Sequence, residues 1–190
     1  MLALEEKIVN EGEILSGGVL KVGSFLNQRI DARFVMEMGE EIARLYADEK
    51  ITKVFTIESS GIAIAMAAAL EMNVPFVFAK KNKSTNVGDD VYTSRVHSFT
   101  HGNTYDAVVS KEFINEEDTI LIVDDFLAHG NALIGLIDMV NQSGARLAGA
   151  AIAIEKGFQG GGDDLRAKGI RIESLALIEK MEDGKIEFRR

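Results

Sequence analysis

Two adjacent carboxylates, Asp124 and Asp125, directly follow the apolar run Thr119–Val123, and small residues then open a helix at about residue 131. The apolar run predicts a buried strand. The small residues after the acid pair form a turn between the strand and the helix. Backbone amides in a turn of this kind and at a helix N-terminus bind anions, and small side chains let a phosphate approach the backbone. Carboxylates accept hydrogen bonds from sugar hydroxyls or hold a metal. The pattern predicts a site for a phosphorylated sugar, with an acid pair that caps the helix as the alternative.

Three further polar segments follow predicted strands, and in open parallel sheets ligands bind outside the carboxyl ends of the strands. Together with the acid pair, these segments predict a binding cleft along one sheet edge. The serine hydroxyls and glycine of the first segment can present donors to an anion, and an ordinary strand–helix turn is the equally simple alternative. The three segments are Glu58–Gly61, Lys80–Lys83 and Glu155–Lys156.

Three lysines, Lys80, Lys81 and Lys83, form a positive cluster in a chain whose formal net charge is −9. They open a polar stretch over residues 80–90 that has no helical or strand periodicity. A loop of this length in a compact domain is often functional. The cluster predicts a lid that closes over a polyanion and excludes water, with a solvated charge cluster as the alternative.

Alternating strands and helices must position these segments. Asp31 is the predicted N-cap of a helix over 34–46, and Gly144 is the predicted C′ residue of a helix over 131–143. A further helix is predicted over 62–71 and a hairpin from strands at 91–99 and 104–110. A glycine turn at 160–162 and a short helix near 164–168 follow. The remaining predicted strands span 53–57, 75–79, 119–123, 147–154, 171–178 and 185–189.

The order of these elements predicts an α/β fold with a doubly wound, mostly parallel sheet, because strand–helix–strand units pair in parallel with right-handed crossovers. The length of 190 residues suits a single domain over 1–190. We expect a core at about 36–155, and a small cap formed by the N- and C-terminal segments, about 1–35 and 156–190.

Composition excludes several classes of function. The chain has no cysteine, so it has neither a disulfide framework nor a thiolate metal site, and its three scattered histidines make a histidine metal site a poor candidate. An acidic surface repels nucleic-acid backbones. The N-terminus lacks a basic region before an apolar stretch, and no apolar run approaches 18 residues. We therefore expect a cytoplasmic protein that binds neither nucleic acid nor membrane.

The segment Ile120–Ala132 resembles the phosphoribosyl-diphosphate (PRPP) motif of type I phosphoribosyltransferases. The usual family loop carries threonines around its glycines, whereas this chain has an Ala-x-Gly-x-Ala loop. That loop is similar to one branch of the family, the bacterial xanthine phosphoribosyltransferases. The resemblance runs along essentially the whole chain and includes Val19–Val22, Ser24–Asn27, Thr56–Ala63 and Ile154–Gln159.

The resemblance implies a role for each polar segment. Asp124 and Asp125 would contact the ribose hydroxyls as catalytic residues, and Lys81 would reach the pyrophosphate. Leu20, Asn27 and Lys156 would bind the purine base, here xanthine. PRPP would be bound by a phosphate loop, Ala128, His129, Gly130, Asn131 and Ala132, and by a pyrophosphate loop, Glu58, Ser59, Ser60 and Gly61.

The implied reaction is a purine-salvage pentosyl transfer in which xanthine and PRPP give xanthosine 5′-monophosphate and pyrophosphate. The resemblance also implies a homodimer, and Mg²⁺ bound mainly through PRPP and pyrophosphate rather than by protein ligands. Two alternatives stay open: transfer to guanine, hypoxanthine or adenine, and a non-catalytic regulator of the same fold that binds PRPP. The lysine cluster favours the enzyme, because a protein that only binds PRPP has less need of a lid.

Overall fold

The computed structural model describes residues 1–15, 17–82, 90–98, 103–182 and 184–190. Its α-helices are α1 (Leu2–Glu11), α2 (Ala32–Leu45), α3 (Gly61–Met72), α4 (Asn131–Ser143) and α5 (Gly161–Ala167). Its strands are β1 (Glu13–Leu15), β2 (Val19–Lys21), β3 (Lys53–Ile57), β4 (Phe76–Ala79), β5 (Val91–Ser98), β6 (Asn103–Ser110), β7 (Thr119–Leu127), β8 (Arg146–Lys156), β9 (Ile172–Glu182) and β10 (Lys185–Phe188). A π-helix spans Gly23–Asn27, and 3₁₀ turns span Lys111–Phe113 and Gly157–Gln159.

A six-stranded sheet in the order β10-β9-β8-β7-β3-β4 forms the centre of the molecule. Strands β9, β8, β7, β3 and β4 run parallel, and β10 pairs with β9 in the antiparallel sense. Strands β1 and β2 form one separate antiparallel pair, and β5 and β6 form another, which is the predicted hairpin. The α/β fold with a mostly parallel sheet is confirmed.

Helices cover both faces of the sheet. The side chains of β7 show this directly, because Leu121 and Val123 pack in one buried cluster with α2 and α3, whereas Ile120 and Ile122 pack in another with α4. Burial on both faces explains why this strand reads as an unbroken apolar run. No helix in the described part of the chain has the length and hydropathy that spanning a membrane requires.

Strands β7 and β8 are longer than the sequence predicts, because their parallel pairing continues past the apolar runs. Asp124 lies opposite Ile152, and Leu127 lies opposite Glu155. The acid pair therefore lies within β7, which continues for two residues beyond it. This is a correction with a functional consequence, since a strand holds its side chains in fixed, alternating directions.

The C-terminal segment also differs from the expectation. Strand β9 pairs with β8 and β10 pairs with β9, so residues 172–188 extend the main sheet rather than forming a cap. Gly161 and Gly162 begin α5 instead of forming a glycine turn. By contrast, the N-terminal segment does reach the carboxyl edge of the sheet, because the Gly18 carbonyl accepts a hydrogen bond from Lys156 Nζ at 2.8 Å.

Candidate active site

A cavity of about 700 Å³ lies at the carboxyl ends of β3, β7 and β8. All the residues to which the family resemblance assigns a catalytic or binding role line it, so the fold gathers positions that lie far apart in the chain. Their individual roles stay predictions. They are Leu20, Asn27, Glu58, Ser59, Ser60, Gly61, Lys81, Asp124, Asp125, Ala128, His129, Gly130, Asn131, Ala132 and Lys156.

The acid pair lies in the cavity wall. Asp124 is only 5% exposed, and its Oδ1 accepts a hydrogen bond from the Asp125 backbone N–H at 3.0 Å. Burial raises the pKa of Asp124 well above its usual value, and the charge of Asp125 raises it further. Burial is also the main cause that raises the pKa of Asp125, whereas the positive charge of Lys81 lowers both pKa values. Two such carboxylates are suited to accept hydrogen bonds from hydroxyl groups or to face a cation.

The predicted phosphate loop opens α4. Gly130 has a φ of 85°, a backbone conformation that favours glycine, and no side chain caps the first turn of the helix. Among the described residues no side chain accepts from the first amides of α4, and the helix N-terminus carries a partial positive charge. Asn131 Nδ2 donates to the His97 carbonyl at 3.0 Å, which ties this loop to the β5–β6 hairpin. Amides arranged in this way can hold a phosphate.

The predicted pyrophosphate loop packs directly against the acid pair. A Cβ on Gly61 would lie 2.3 Å from Thr56 Oγ1 and 3.0 Å from Asp124 Oδ1, so only glycine fits there. Ser60 precedes α3, and its hydroxyl makes no capping hydrogen bond to the helix. Glu58 Oε1 accepts a hydrogen bond from the Lys81 backbone N–H at 2.6 Å. This contact joins the pyrophosphate loop to the start of the lysine segment.

The lysine segment is only partly described. Lys80 belongs to a β-bridge with Val108 rather than to a loop, because the two residues exchange backbone hydrogen bonds of 2.9 Å. Lys81 is exposed, and its Nζ lies 5.6 Å from the centre of the Tyr105 ring. Lys83 and the predicted lid lie outside the described residues, so the lid stays a prediction.

The predicted base-binding residues occupy another part of the cavity. Lys156 donates to the Gly18 carbonyl, and its Nζ lies 5.4 Å from the centre of the Phe126 ring. Burial lowers the pKa of this lysine. Leu20 is 6% exposed and adds apolar surface, and Asn27 ends the π-helix that follows β2. The arrangement combines an ammonium donor with apolar walls, which suits a flat heterocycle that carries carbonyl groups.

Glu155 and Lys156 are adjacent and were predicted to form one polar segment, but their environments differ. Glu155 is fully buried, and Arg166 pairs with it through both terminal guanidinium nitrogens at 2.8 and 2.7 Å. Ser174 Oγ also donates to this carboxylate. Alternation along β8 explains the difference, because successive side chains point to opposite faces of a sheet.

Several cavity residues were not assigned from the sequence. Val96, His97 and Tyr105 come from the β5–β6 hairpin, and Phe126 and Gln159 come from the sheet edge. The hairpin reaches the cavity because Val96 packs so closely on Gly135 of α4 that a Cβ there would lie 2.6 Å from it. No local pattern reports that contact. The sequence does offer a signal for Phe126, because it lies two residues after Asp124 and side chains at i and i+2 of a strand point to the same face.

The described residues include no group of three or more histidines, cysteines, aspartates and glutamates placed to hold a metal ion.

The chain matches the phosphoribosyl transferase domain over residues 22–180. That match includes the strand with the acid pair and both predicted phosphate-binding loops. The chain belongs to the phosphoribosyl transferase family.

Two curated relatives are similar over nearly the whole chain, and both are named xanthine phosphoribosyltransferase. The protein from Heliobacterium modesticaldum is 55% identical over 188 residues, which cover 99% of this chain and 100% of the relative. The protein from Lachnoclostridium phytofermentans is 51% identical over 100% of this chain and 98% of the relative. Adenine phosphoribosyltransferase from Rhodothermus marinus has the same fold, with a TM-score of 0.72 at 20% identity over 93% of this chain and 99% of that one.

Proposed function

We propose that this protein transfers the phosphoribosyl group of PRPP to xanthine and releases pyrophosphate. One observation carries the proposal: the buried carboxylate of Asp124 and the partly buried carboxylate of Asp125 lie between two loops that open helices at the same cavity. Identities of 51–55% to relatives named for xanthine support the choice of base. Lys156 supports it as well, since an ammonium group suits the carbonyls of xanthine and opposes the 6-amino group of adenine.

In the proposed reaction, xanthine N9 forms a bond to C1′ of PRPP while the bond from C1′ to the pyrophosphate oxygen breaks. The pair of electrons leaves with pyrophosphate, and the proton of xanthine passes to solvent. Asp124 and Asp125 hold the ribose hydroxyls and face the positive charge that develops on the ring. The loop from Ala128 to Ala132 fixes the 5′-phosphate. Catalysis by these groups is positioning combined with electrostatic stabilisation.

The pyrophosphate loop and Lys81 receive the leaving group in this proposal. Ser59 and Ser60 offer hydroxyl donors, and Lys81 supplies a positive charge at the cavity wall. Mg²⁺ fits the same place, because this ion is usually held by one or two carboxylates together with substrate phosphates. Asp124 and Asp125 would supply carboxylate oxygens, PRPP and pyrophosphate would supply most of the ligands, and Mg²⁺ would neutralise the charge of the pyrophosphate.

The proposal also includes a homodimer and a cytoplasmic location. Met66 and Leu70 lie one helical turn apart on α3 and are 51% and 65% exposed. Phe78, on the neighbouring edge strand, is 37% exposed. Large exposed apolar side chains at one side of a sheet suit contact with a second copy. Sedimentation equilibrium of the purified protein tests the dimer. The location rests on the substrates, which are metabolites of the cell interior.

A panel of bases tests the function. Purified protein, PRPP and Mg²⁺ are incubated with xanthine, guanine, hypoxanthine or adenine, and release of pyrophosphate is followed. We expect turnover that favours xanthine. Turnover that favours another base would preserve the transfer reaction and contradict the assignment of Lys156. Binding of PRPP without turnover of any base would show a regulator instead of an enzyme.

A further inference from the structure

Gln159 carries a buried polar atom that the proposed reaction leaves unused. Its Oε1 is shielded from solvent and accepts no hydrogen bond from any described residue. The side chain lines the same cavity as Asn27 and Lys156. Because buried carbonyl oxygens in folded proteins nearly always have a donor, an unpaired one in a cavity wall indicates a donor on the bound molecule.

Gln159 and Lys156 lie on the same part of the cavity wall. Gln159 Nε2 is 3.9 Å from the position that a Cβ on Gly18 would occupy, and the Gly18 carbonyl accepts a hydrogen bond from Lys156 Nζ. The carboxamide and the ammonium group are therefore both neighbours of Gly18. One flat molecule placed against this wall can contact both of them.

The segment that carries Gln159 is held at both ends. Before it, the carboxylate of Glu155 is clamped by Arg166 and by Ser174. After it, the Gly161 backbone N–H donates to the Ala128 carbonyl at 3.2 Å, so the segment rests on the predicted phosphate loop. A carboxamide on such a segment is held in place before the ligand binds, which favours selective recognition.

The chemistry of the wall matches one edge of xanthine. Lys156 provides only donors, so it suits a carbonyl, whereas an N–H of the base needs an acceptor. Xanthine carries N–H groups at N1 and N3 next to its carbonyls. N3 is the nearer of the two to N9 and thus to the ribose, and the segment of Gln159 packs on the loop predicted to hold the ribose phosphate.

We infer that Gln159 is a specificity-determining residue whose Oε1 accepts a hydrogen bond from N3–H of xanthine. The inference rests on the proposed function. Guanine and hypoxanthine have a lone pair at N3 instead of a hydrogen, and this lone pair would face the oxygen of Gln159. Recognition of xanthine therefore combines an attraction from N3–H with a repulsion of the competing bases.

The test compares wild type with Gln159→Met, which keeps the length of the side chain and removes the acceptor. The values of kcat/KM are measured for xanthine and for hypoxanthine. We expect the preference for xanthine over hypoxanthine to fall ~10- to 100-fold, because the variant loses the hydrogen bond to N3–H of xanthine and the repulsion of the N3 lone pair of hypoxanthine. The KM for PRPP stays the same. Gln142→Met, at an exposed glutamine of α4 that does not line the cavity, is the matched control and keeps the wild-type preference.

An equal loss with both bases would show that Gln159 only packs, and an unchanged preference would also overturn the inference. Calorimetric titration of xanthine into wild type and Gln159→Met gives a second, independent readout, with weaker binding expected in the variant. If wild type binds xanthine but turns over no base, the proposed function fails while the titration still decides the role of Gln159.

Discussion

The two ends of β7 each carry a buried carboxylate, and their surroundings are opposite. Asp118, just before the strand, is 9% exposed and accepts hydrogen bonds from Lys53 Nζ at 2.7 Å and Thr52 Oγ1 at 3.0 Å. The Asn115 backbone N–H donates to it as well. Asp124, towards the other end, is 5% exposed and has no ion pair among the described residues. Burial alone therefore does not distinguish the two acids.

The difference shows in the pKa values. Burial disfavours the charged form of Asp118, but the hydrogen bonds from Lys53, Asn115 and Thr52 outweigh it, and its pKa lies below the usual value. At Asp124 burial and the neighbouring charge of Asp125 act together and raise the pKa. A carboxylate that the fold pairs with a cation and several donors stabilises the structure, whereas Asp124, which accepts one backbone hydrogen bond in the described structure, keeps acceptor capacity for a ligand.

The largest expected effect is on catalysis at the carboxyl end. Asp124→Asn keeps the shape of the side chain and removes the charge that would face the developing positive charge on the ribose. We expect kcat/KM to fall ~10²- to 10³-fold, as for the loss of other preorganised electrostatic groups. Steady-state kinetics with xanthine and PRPP measures the loss.

Stability is the control for this variant. Because burial and the charge of Asp125 outweigh the positive charge of Lys81 at Asp124, Asp124→Asn should unfold at the same temperature as wild type or at a higher one. A large loss of thermal stability together with the loss of activity would mean that the acid supports the fold. The contrast between the ends of β7 would then be wrong.

At the amino end of β7, we expect the substitution of the acid to reduce stability and to leave catalysis unchanged. Asp118→Asn leaves Lys53, whose side chain is 14% exposed, without its counter-charge. We expect the free energy of unfolding to fall by about 3 kcal/mol, because breaking a buried pair strands the remaining charge. Urea unfolding measures this, and kcat per folded molecule should stay at the wild-type value.

A second substitution separates the loss of the pair from general damage at this end. Adding Lys53→Met to Asp118→Asn removes the stranded charge, so the double variant should recover part of the lost stability. If the two substitutions are simply additive, the ion pair between Asp118 and Lys53 contributes little, and the amino end is held by other contacts.

The two ends of β7 also show which features can be predicted from the sequence. Apolar runs and helix caps reveal elements with local signals, such as β3 and the Asp31 cap of α2, whose side chain accepts from the Phe34 N–H. The acid pair and the two loops follow from the rule that parallel strands present their carboxyl ends at one edge. The pairing of Asp118 with Lys53 depends on residues 65 positions apart, and no local pattern reports it.

Other parts of the site depend on tertiary packing. The extension of β7 past its apolar run comes from pairing with β8, and the place of Tyr105 comes from a hairpin that packs on α4. The opposite directions of Glu155 and Lys156, however, follow from the alternation of side chains in a strand. Extending the predicted strand by two residues would have separated the buried acid from the lysine in the cavity.

The two ends of β7 also differ in the partly buried lysines that lie near them. Lys53 faces a carboxylate, whereas the partners of Lys156 among the described residues are the Gly18 carbonyl and the Phe126 ring. We expect Lys156→Met to raise the KM for xanthine about 10-fold, the equivalent of about 1.4 kcal/mol, and to weaken the discrimination against adenine. The KM for PRPP should not change, and Lys168→Met on the exposed surface serves as the control. An unchanged KM for xanthine would remove Lys156 from the base site.

The smallest effect is the dependence of stability on pH, where the two acids should give opposite signs. The folded state raises the pKa of Asp124 above the usual 3.8, so its protonated form favours folding, and this contribution declines as the pH rises from about 3.8 through the raised value. The folded state lowers the pKa of Asp118, so its contribution to stability is complete above pH 3.8 and is lost as the pH falls below that value.

Urea unfolding from pH 3 to 7 measures both effects. Relative to wild type, Asp124→Asn should gain stability as the pH rises, and Asp118→Asn should lose it. Parallel pH curves for the two variants would show that the acids share one environment, and the division of β7 into a structural end and a binding end would then fail.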